Sequence, residues 1–329
     1  MSKSPRKVLV TAWAVAQTTI PRYSHRFSPK TFTQHQLFAC LVLKAFLRTD
    51  YRGLASHLSD CPNLCKAIEL QRVPHFTTFQ KAARRLLRSK LVDYLLDETV
   101  RRMMGRRRRV KLAAIDSTGM ESHHTSRYFI QRRSRRWNPW KTMAFSRYPK
   151  LGLLVDCSNH LILGCFTDQG PKPDTRDLEP TLHHTSPHVC IEWLTGDAGY
   201  DSESNHRLCR EEHNIKTLIP PNQGRPTAKP ARGRYRRLMQ THFNREKYGQ
   251  RWQAETVMSM IKRRLGSATT GRTYWSRRRD LFLMTLTHNI MILWQIKLFY
   301  RAAASSFQFL AASPFQFPRI YECLKLFRS

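Results

Sequence analysis

Three acidic residues in this chain have surroundings suited to holding a divalent cation: Asp116 in "IDSTG", Asp197 in "GDAGY" and Glu255 in "YGQRWQAETVMSMIKRR" (248 to 264). Each aspartate follows an apolar run, "VKLAAI" or "VCIEWLTG". It therefore falls at the C-terminal end of a strand, where α/β sheets gather ligands, and the neighbouring glycines allow close approach. The glutamate sits on a helix. At about 100° per residue, Tyr248, Arg251, Glu255 and Lys262 fall within roughly 60° of one another. Ala254, Val257, Met258, Ile261 and Leu265 form an apolar side roughly 90 to 130° away, which docks the helix and leaves Glu255 beside the contact.

Two aspartates and a glutamate brought together repel one another strongly at low dielectric unless cations hold them. Mg2+ is the expected ion, because it prefers carboxylate oxygens and keeps positions open for water and phosphate oxygens. Two such ions about 3.5 to 4 Å apart can activate a nucleophile and stabilise the leaving 3′ oxygen of a phosphodiester. Each residue also has a plainer use. A strand-end aspartate commonly forms a cap or turn, and Glu255 paired with Arg251 would contribute only about 0.3 to 0.5 kcal/mol. The cation reading is the one that uses all three.

The elements that must position these residues alternate in period. "VKLAAIDST" (110 to 118), "PKLGLLVDCSN" (149 to 159), "HLILGCFTDQG" (160 to 170), "VCIEWLTGDAGY" (189 to 200) and "IKTLIPP" (215 to 221) read as strands. "DTRDLEPTLHH" (174 to 184), "DSESNHRLCREEHN" (201 to 214) and the Glu255 segment read as helices. This order predicts an α/β sheet with helices on its faces. Asp174 and Asp201 fall where N-caps are expected, and Asp156 falls in a turn between strands. The region before the sheet is helical: "FTQHQLFACLVLKAFL" (32 to 47), "YRGLASHLSD" (51 to 60) and "TTFQKAARRLL" (77 to 87), the last opening on threonines suited to an N-cap. These helices either read a DNA groove through the Thr77 helix or cap a larger domain.

Composition points to a polyanionic partner. Lys and Arg number 57 against 23 Asp and Glu, a formal charge of +34 over 329 residues. The charge is clustered at 101 to 109, 131 to 136, 225 to 237 and 276 to 279, with Trp137 and Trp140 available to stack beside the second run. A content of 41% hydrophobic residues excludes a purely disordered polycation. The 8 cysteines include no C-x-x-C pair, and there is no secretory signal, so a reducing cytoplasm is expected. His57, Cys61 and Cys65 share a helical face but lack a second ligand pair at zinc-site spacing. "LFLMTLTHNIMILWQIKLFY" (281 to 300) is interrupted by His288, Asn289, Gln295 and Lys297, which favours a core helix over a membrane span.

At Tyr248, Arg251, Glu255 and Lys262 the chain resembles DDE-type transposases of bacterial insertion sequences, in the branch whose third motif reads Y-x2-R-x3-E-x6-K. "IDSTG" and "TGDAGYDS" resemble the two aspartate motifs, "THNIMIL" the core helix, and "YSHRFSPKTFTQHQLFACLVLK" the helical leader of this group. The resemblance implies a ribonuclease-H-like mixed sheet with flanking helices over residues 106 to 300. An all-helical N-terminal domain (1 to 105) for DNA-end recognition would precede it, and a tail (301 to 329) would follow. It implies Asp116, Asp197 and Glu255 as catalytic ligands of two Mg2+ ions, with Mn2+ able to substitute, and Tyr248, Arg251 and Lys262 as contacts to DNA phosphates.

The implied activity is cleavage at the terminal repeats of an element and transfer of the 3′ hydroxyl to target DNA, by a dimer or larger assembly associated with the bacterial nucleoid. Because 57 residues separate Asp197 from Glu255, a large β-insertion between them is absent or reduced to the basic loop around 222 to 240. His123 and His124 are not required as bases by two-metal chemistry. A catalytically silent repressor derived from a transposase, or a ribonuclease-H-like nuclease that does not join strands, are the alternative functions.

Overall fold

The computed structural model describes residues 1–105, 108–122, 148–222 and 230–311, beyond 293 by backbone alone. Its strands are β1 (Arg109–Gly119), β2 (Glu121–Ser122), β3 (Tyr148–Asp156), β4 (Ile162–Gly170), β5 (Cys190–Thr195), β6 (Lys216–Leu218) and β7 (Ala268–Thr269). Five of them form a mixed sheet in the order β4-β3-β1-β5-β6; β2 and β7 pair separately. β1 runs antiparallel to β3 and parallel to β5, β3 is antiparallel to β4, and β5 is parallel to β6. This is the mixed sheet with flanking helices that the sequence predicts.

The helices are α1 (Pro5–Thr19), α2 (Gln34–Leu47), α3 (Tyr51–Asp60), α4 (Pro62–Lys66), α5 (Phe76–Leu86), α6 (Ser89–Met104), α7 (Leu178–His183), α8 (Glu203–Arg207), α9 (Arg234–Thr241), α10 (Arg245–Gly249), α11 (Trp252–Leu265) and α12 (Tyr274–Ala311). Because side chains alternate along a strand, the sheet feeds two cores. Ala114 of β1 and Leu151, Leu153 and Val155 of β3 pack with residues of α1, α2, α5, α6, α11 and α12. Ala113 and Ile115 of β1, with Leu154 of β3, pack with Leu178 and Leu182 of α7, Tyr200 and Cys209. The N-terminal helices are thus one layer of the core that also holds α11 and α12.

Local signals explain most boundaries. Thr33 and Gln36 form a reciprocal capping box at the start of α2. At α5 the threonine cap expected from the sequence gives way to His75, with Thr77 inside the first turn and its Oγ1 2.9 Å from His75 Nδ1. The Glu255 segment differs from its expected single helix. It breaks after Gly249, a poor helix former that ends α10, and resumes at α11. Arg251 is the N-cap of α11 with φ −54 and ψ −34, so it keeps its helical relation to Glu255. Tyr248 belongs to α10, where its ring packs on Phe243 at 4.9 Å.

Buried polar residues join the layers. Asn289 in α12 is fully buried, accepts from Ile162 N–H at 2.9 Å and donates to Ile162 O at 2.8 Å and Thr99 Oγ1 at 2.9 Å. One side-chain amide thus satisfies strand β4 next to its edge. The neighbouring His288 Nε2 lies 3.0 Å from His160 O, and burial pushes its imidazole down to about 4. These contacts explain two of the polar interruptions of the apolar run, His288 and Asn289, and among the described residues no helix is long and apolar enough to cross a membrane. Arg48, the α2 C-cap at φ 54, donates to Arg263 O and, at 2.9 Å, to Arg264 O at the end of α11.

Glu98 of α6 clamps α6 to α1. Burial alone would raise its carboxyl, but Arg101 at 2.6 Å, Arg102 at 2.6 Å and Thr18 at 2.7 Å donate to it and hold it down at about 2. A depressed folded pKa adds stability that is present above the unfolded value and lost as pH falls through the folded one. Urea unfolding is therefore expected to show Glu98→Gln losing about 1 to 3 kcal/mol at pH 7, with the gap to wild type closing between about pH 4.5 and 2. A gap independent of pH in that window would refute the assignment.

Candidate active site

The register of β1 against β5 brings the two aspartates to one edge. Their last paired residues are Ala114 and Thr195. Asp116 and Asp197 each lie two residues beyond that rung, on neighbouring chains running the same way. Asp116 is not the last residue of its strand, as the sequence suggests. β1 continues to Gly119 because β3 still pairs with it there, whereas β5 has ended. The backbone of β1 beside Asp116 is therefore paired by β3 alone.

Alternation sends Asp116 and Thr118 to the face that carries α11. Lys262 of α11 reaches the same face and donates from Nζ to Thr118 Oγ1 at 2.6 Å. Glu255, one turn into α11, has a side chain 53% exposed and pairs through Oε1 with Arg251 Nη2 at 2.6 Å. Asp197 caps the 3-10 turn Ala198–Tyr200, its Oδ1 accepting from Gly199 N–H at 2.9 Å. The plain structural uses of Glu255 and Asp197 are thus both present.

The electrostatics connect the three carboxylates. Burial pushes the Asp116 carboxyl up to about 6. The Ser117 N–H opposes that push at 2.8 Å, the Asp197 charge adds to it, Arg251 offsets it, and Glu255 adds to it again. A cation would relieve this repulsion, and three carboxylates are the donors a hard divalent ion takes. Among the described residues no three His, Cys, Asp or Glu side chains stand close enough to hold a metal. Glu255 is held by Arg251 in this arrangement, and an exposed glutamate can turn from such a pair by side-chain rotation. On these terms the residues fit Mg2+. Of the expected phosphate contacts, Arg251 and Lys262 lie on α11 or at its start, while Tyr248 stands on α10.

Several expectations change. Asp174 does not act as a cap: Pro173 precedes the 3-10 turn Asp174–Arg176, and the Asp174 carboxylate pairs with Lys150 Nζ at 2.5 Å. Asp201 is also no cap, since Ser202 caps α8, and it accepts from Arg236 Nε and Asn222 N–H instead. Asp156 does form the turn, accepting from Ser158 and Asn159. The Cys65 thiol donates to Leu58 O, a structural use.

The buried Lys150, with Asp174 and Asp177, escaped the sequence reading. Its signal was a lysine directly before the apolar run "LGLLV" in the same strand, whose partners stand 24 and 27 residues downstream in "PDTRDLEP". Trp252 and Trp275 are 52% and 60% exposed, and the Arg278 guanidinium lies 5.8 Å from the Trp275 ring centre. His123, His124, Trp137, Trp140 and the run 131 to 136 lie outside the described residues, as do 106 and 107, 223 to 229 and the end of the tail.

Residues 110–290 match the family model described as "Transposase DDE domain". No curated relative matches the chain. Two solved structures show weak similarity to the chain. One is the Mos1 Strand Transfer Complex, at 13% identity and a TM-score of 0.25, covering 84% of this chain and 79% of that one. The other is a pre-cleavage Mos1 transpososome, at 14% identity and a TM-score of 0.22, covering 84% and 80%. Superposition at that level carries no residue correspondence.

Proposed function

Because the chain belongs to the DDE transposase family, we propose that it binds the terminal repeats of a mobile element, cleaves DNA at those ends and joins the freed 3′ hydroxyl to target DNA. The register of β1 against β5 carries this reading, since it supports Asp116 and Asp197 as neighbours on the edge where α11 lies. Asp116, Asp197 and Glu255 would hold Mg2+, or Mn2+ in its place. Bound there, such ions supply an acidified water and charge stabilisation for the leaving 3′ oxygen.

The chain's own residues have defined tasks in this reading. Asp116 would offer its buried carboxylate to the cation, whose charge would offset the repulsion from Asp197 and Glu255. Glu255 leaves Arg251, whose planar guanidinium is then free to grip a phosphate through two N–H groups. Lys262 adds a point charge beside Thr118, and Tyr248 a hydroxyl from α10. The basic runs supply affinity without sequence choice, so the N-terminal helices are left to select the repeat. Pairing of two element ends calls for at least two copies of the chain, working at the bacterial nucleoid.

The test is the full chain with a labelled terminal-repeat duplex and target DNA. Cut and joined products are expected with Mg2+ or Mn2+ and none with EDTA. Binding of the repeat without cutting in either metal would replace this reading with a silent repressor. Cutting without joining would make the protein a nuclease. Equal affinity for random DNA would remove the recognition role from the N-terminal helices.

A further inference from the structure

On the opposite face of β1 from Asp116, one carboxylate touches both segments that carry the aspartates. Asp174 Oδ1 accepts from Ser117 Oγ at 2.8 Å, and Ser117 follows Asp116 directly. Its Oδ2 lies against Gly199: a Cβ added there would meet it at 3.2 Å and Asp197 Oδ1 at 2.9 Å. Gly199 is also the residue whose N–H holds Asp197 Oδ1. Asp174 is itself gripped from below by Lys150, whose Nζ lies 2.5 Å from Asp174 Oδ1, 2.6 Å from Asp177 Oδ2 and 2.8 Å from Lys172 O. The lysine is only 4% exposed. Its charge, shared between Asp174 and Asp177, offsets part of the negative charge behind the Asp197 turn.

We propose that Asp174 is a positioning residue: clamped by Lys150, it locks β1 at Ser117 to the Gly199 turn and so fixes the distance between Asp116 and Asp197 at which a divalent cation can bind. Resting on the reading of Asp116 and Asp197 as cation ligands, the inference adds a group that acts on both without touching the cation. Partners that orient ligands in this way typically govern metal affinity by about 10- to 100-fold.

The test is Mn2+ binding to the full chain without DNA, followed by the electron paramagnetic resonance signal of free Mn2+, with repeat-DNA binding and melting temperature measured alongside. Asp174→Ala is expected to weaken Mn2+ binding about 10- to 100-fold while repeat-DNA binding stays at the wild-type level. Asp174→Asn keeps the shape and an acceptor for Ser117, and should recover most of that loss. Equal losses in both variants would make the Asp174 charge, and not its position, the active property, overturning the inference. A lowered melting temperature with unchanged Mn2+ affinity would do the same.

Gly199→Ala carries the test if Asp174→Ala fails to fold. Its methyl displaces both carboxylates without removing either, so a tenfold or greater loss is expected and wild-type affinity would overturn the inference. Asp197→Asn separates the levels. If it keeps full Mn2+ affinity, the ligand assignment beneath the inference fails; if it loses affinity while Asp174→Ala does not, only the role of Asp174 fails.

Discussion

Asp116→Asn is expected to cut DNA cleavage and strand joining by at least about a thousandfold, roughly 4 kcal/mol of transition-state stabilisation, while making the metal-free protein more stable at pH 7. The two effects have one cause. Burial first, then the charges of Asp197 and Glu255, push the Asp116 carboxyl from 3.8 up to about 6. A carboxyl raised by folding binds its proton more tightly in the native state, so stability is greatest below the unfolded pKa and is lost as pH rises through the folded one.

At pH 7 the wild type bears that cost in full, and an asparagine, which cannot ionise, does not. The gain is on the order of 1 to 2 kcal/mol after allowing for partial solvent screening. Differential scanning calorimetry in EDTA at pH 7 and pH 4.5 measures it, with the advantage of the variant shrinking at the lower pH. Glu255→Gln should likewise stop cleavage while leaving repeat binding intact. If either variant still cuts at a wild-type rate, that carboxylate is not a cation ligand.

Lys150→Met should produce the largest loss of stability, about 3 to 5 kcal/mol in urea unfolding at pH 7. Lys150 is 4% exposed and Asp177 1%, so methionine leaves a buried carboxylate without its cation. Burial already raises the Asp177 carboxyl, and without Lys150 it rises further. The deficit is therefore fullest at neutral pH and shrinks as acid protonates Asp177. Lys150→Met with Asp177→Leu should recover much of the loss, because replacing both partners of a buried pair by apolar groups is often near neutral. A single variant as stable as wild type would show that the pair contributes little.

The residues proposed to carry the chemistry are marked in the sequence by local signals. An aspartate closing an apolar run, a glutamate at fixed helical offsets from a tyrosine and two cations, and amphipathic spacing in α2 can all be read within about twenty residues. The α/β sheet with helices on its faces followed from the alternation of strand and helix periods, and its mixed topology from the family resemblance. What escaped is set by distance along the chain. Asp174 reads as a cap by its neighbours but answers to Lys150, 24 residues earlier. Asp201 answers to Arg236, 35 residues later. The break at Gly249 also escaped, because the motif's offsets remain periodic across it and only the backbone marks the end of α10. Nor does any local pattern reveal that α1, α2, α5 and α6 share a core with α11 and α12; that is a fact of packing.

The contact of Arg48 with the last carbonyls of α11 makes the N-terminal helices and α11 a single mechanical part. A helix end needs its carbonyls satisfied, and here a residue from the other end of the chain does so for the helix that bears Glu255 and Lys262. Grafting a foreign reading head in place of residues 1 to 105 would uncap that helix and strip the apolar side of α12. On the proposed reading that the N-terminal helices select the repeat, retargeting is therefore a matter of resurfacing them in place, not of exchanging them as a cassette.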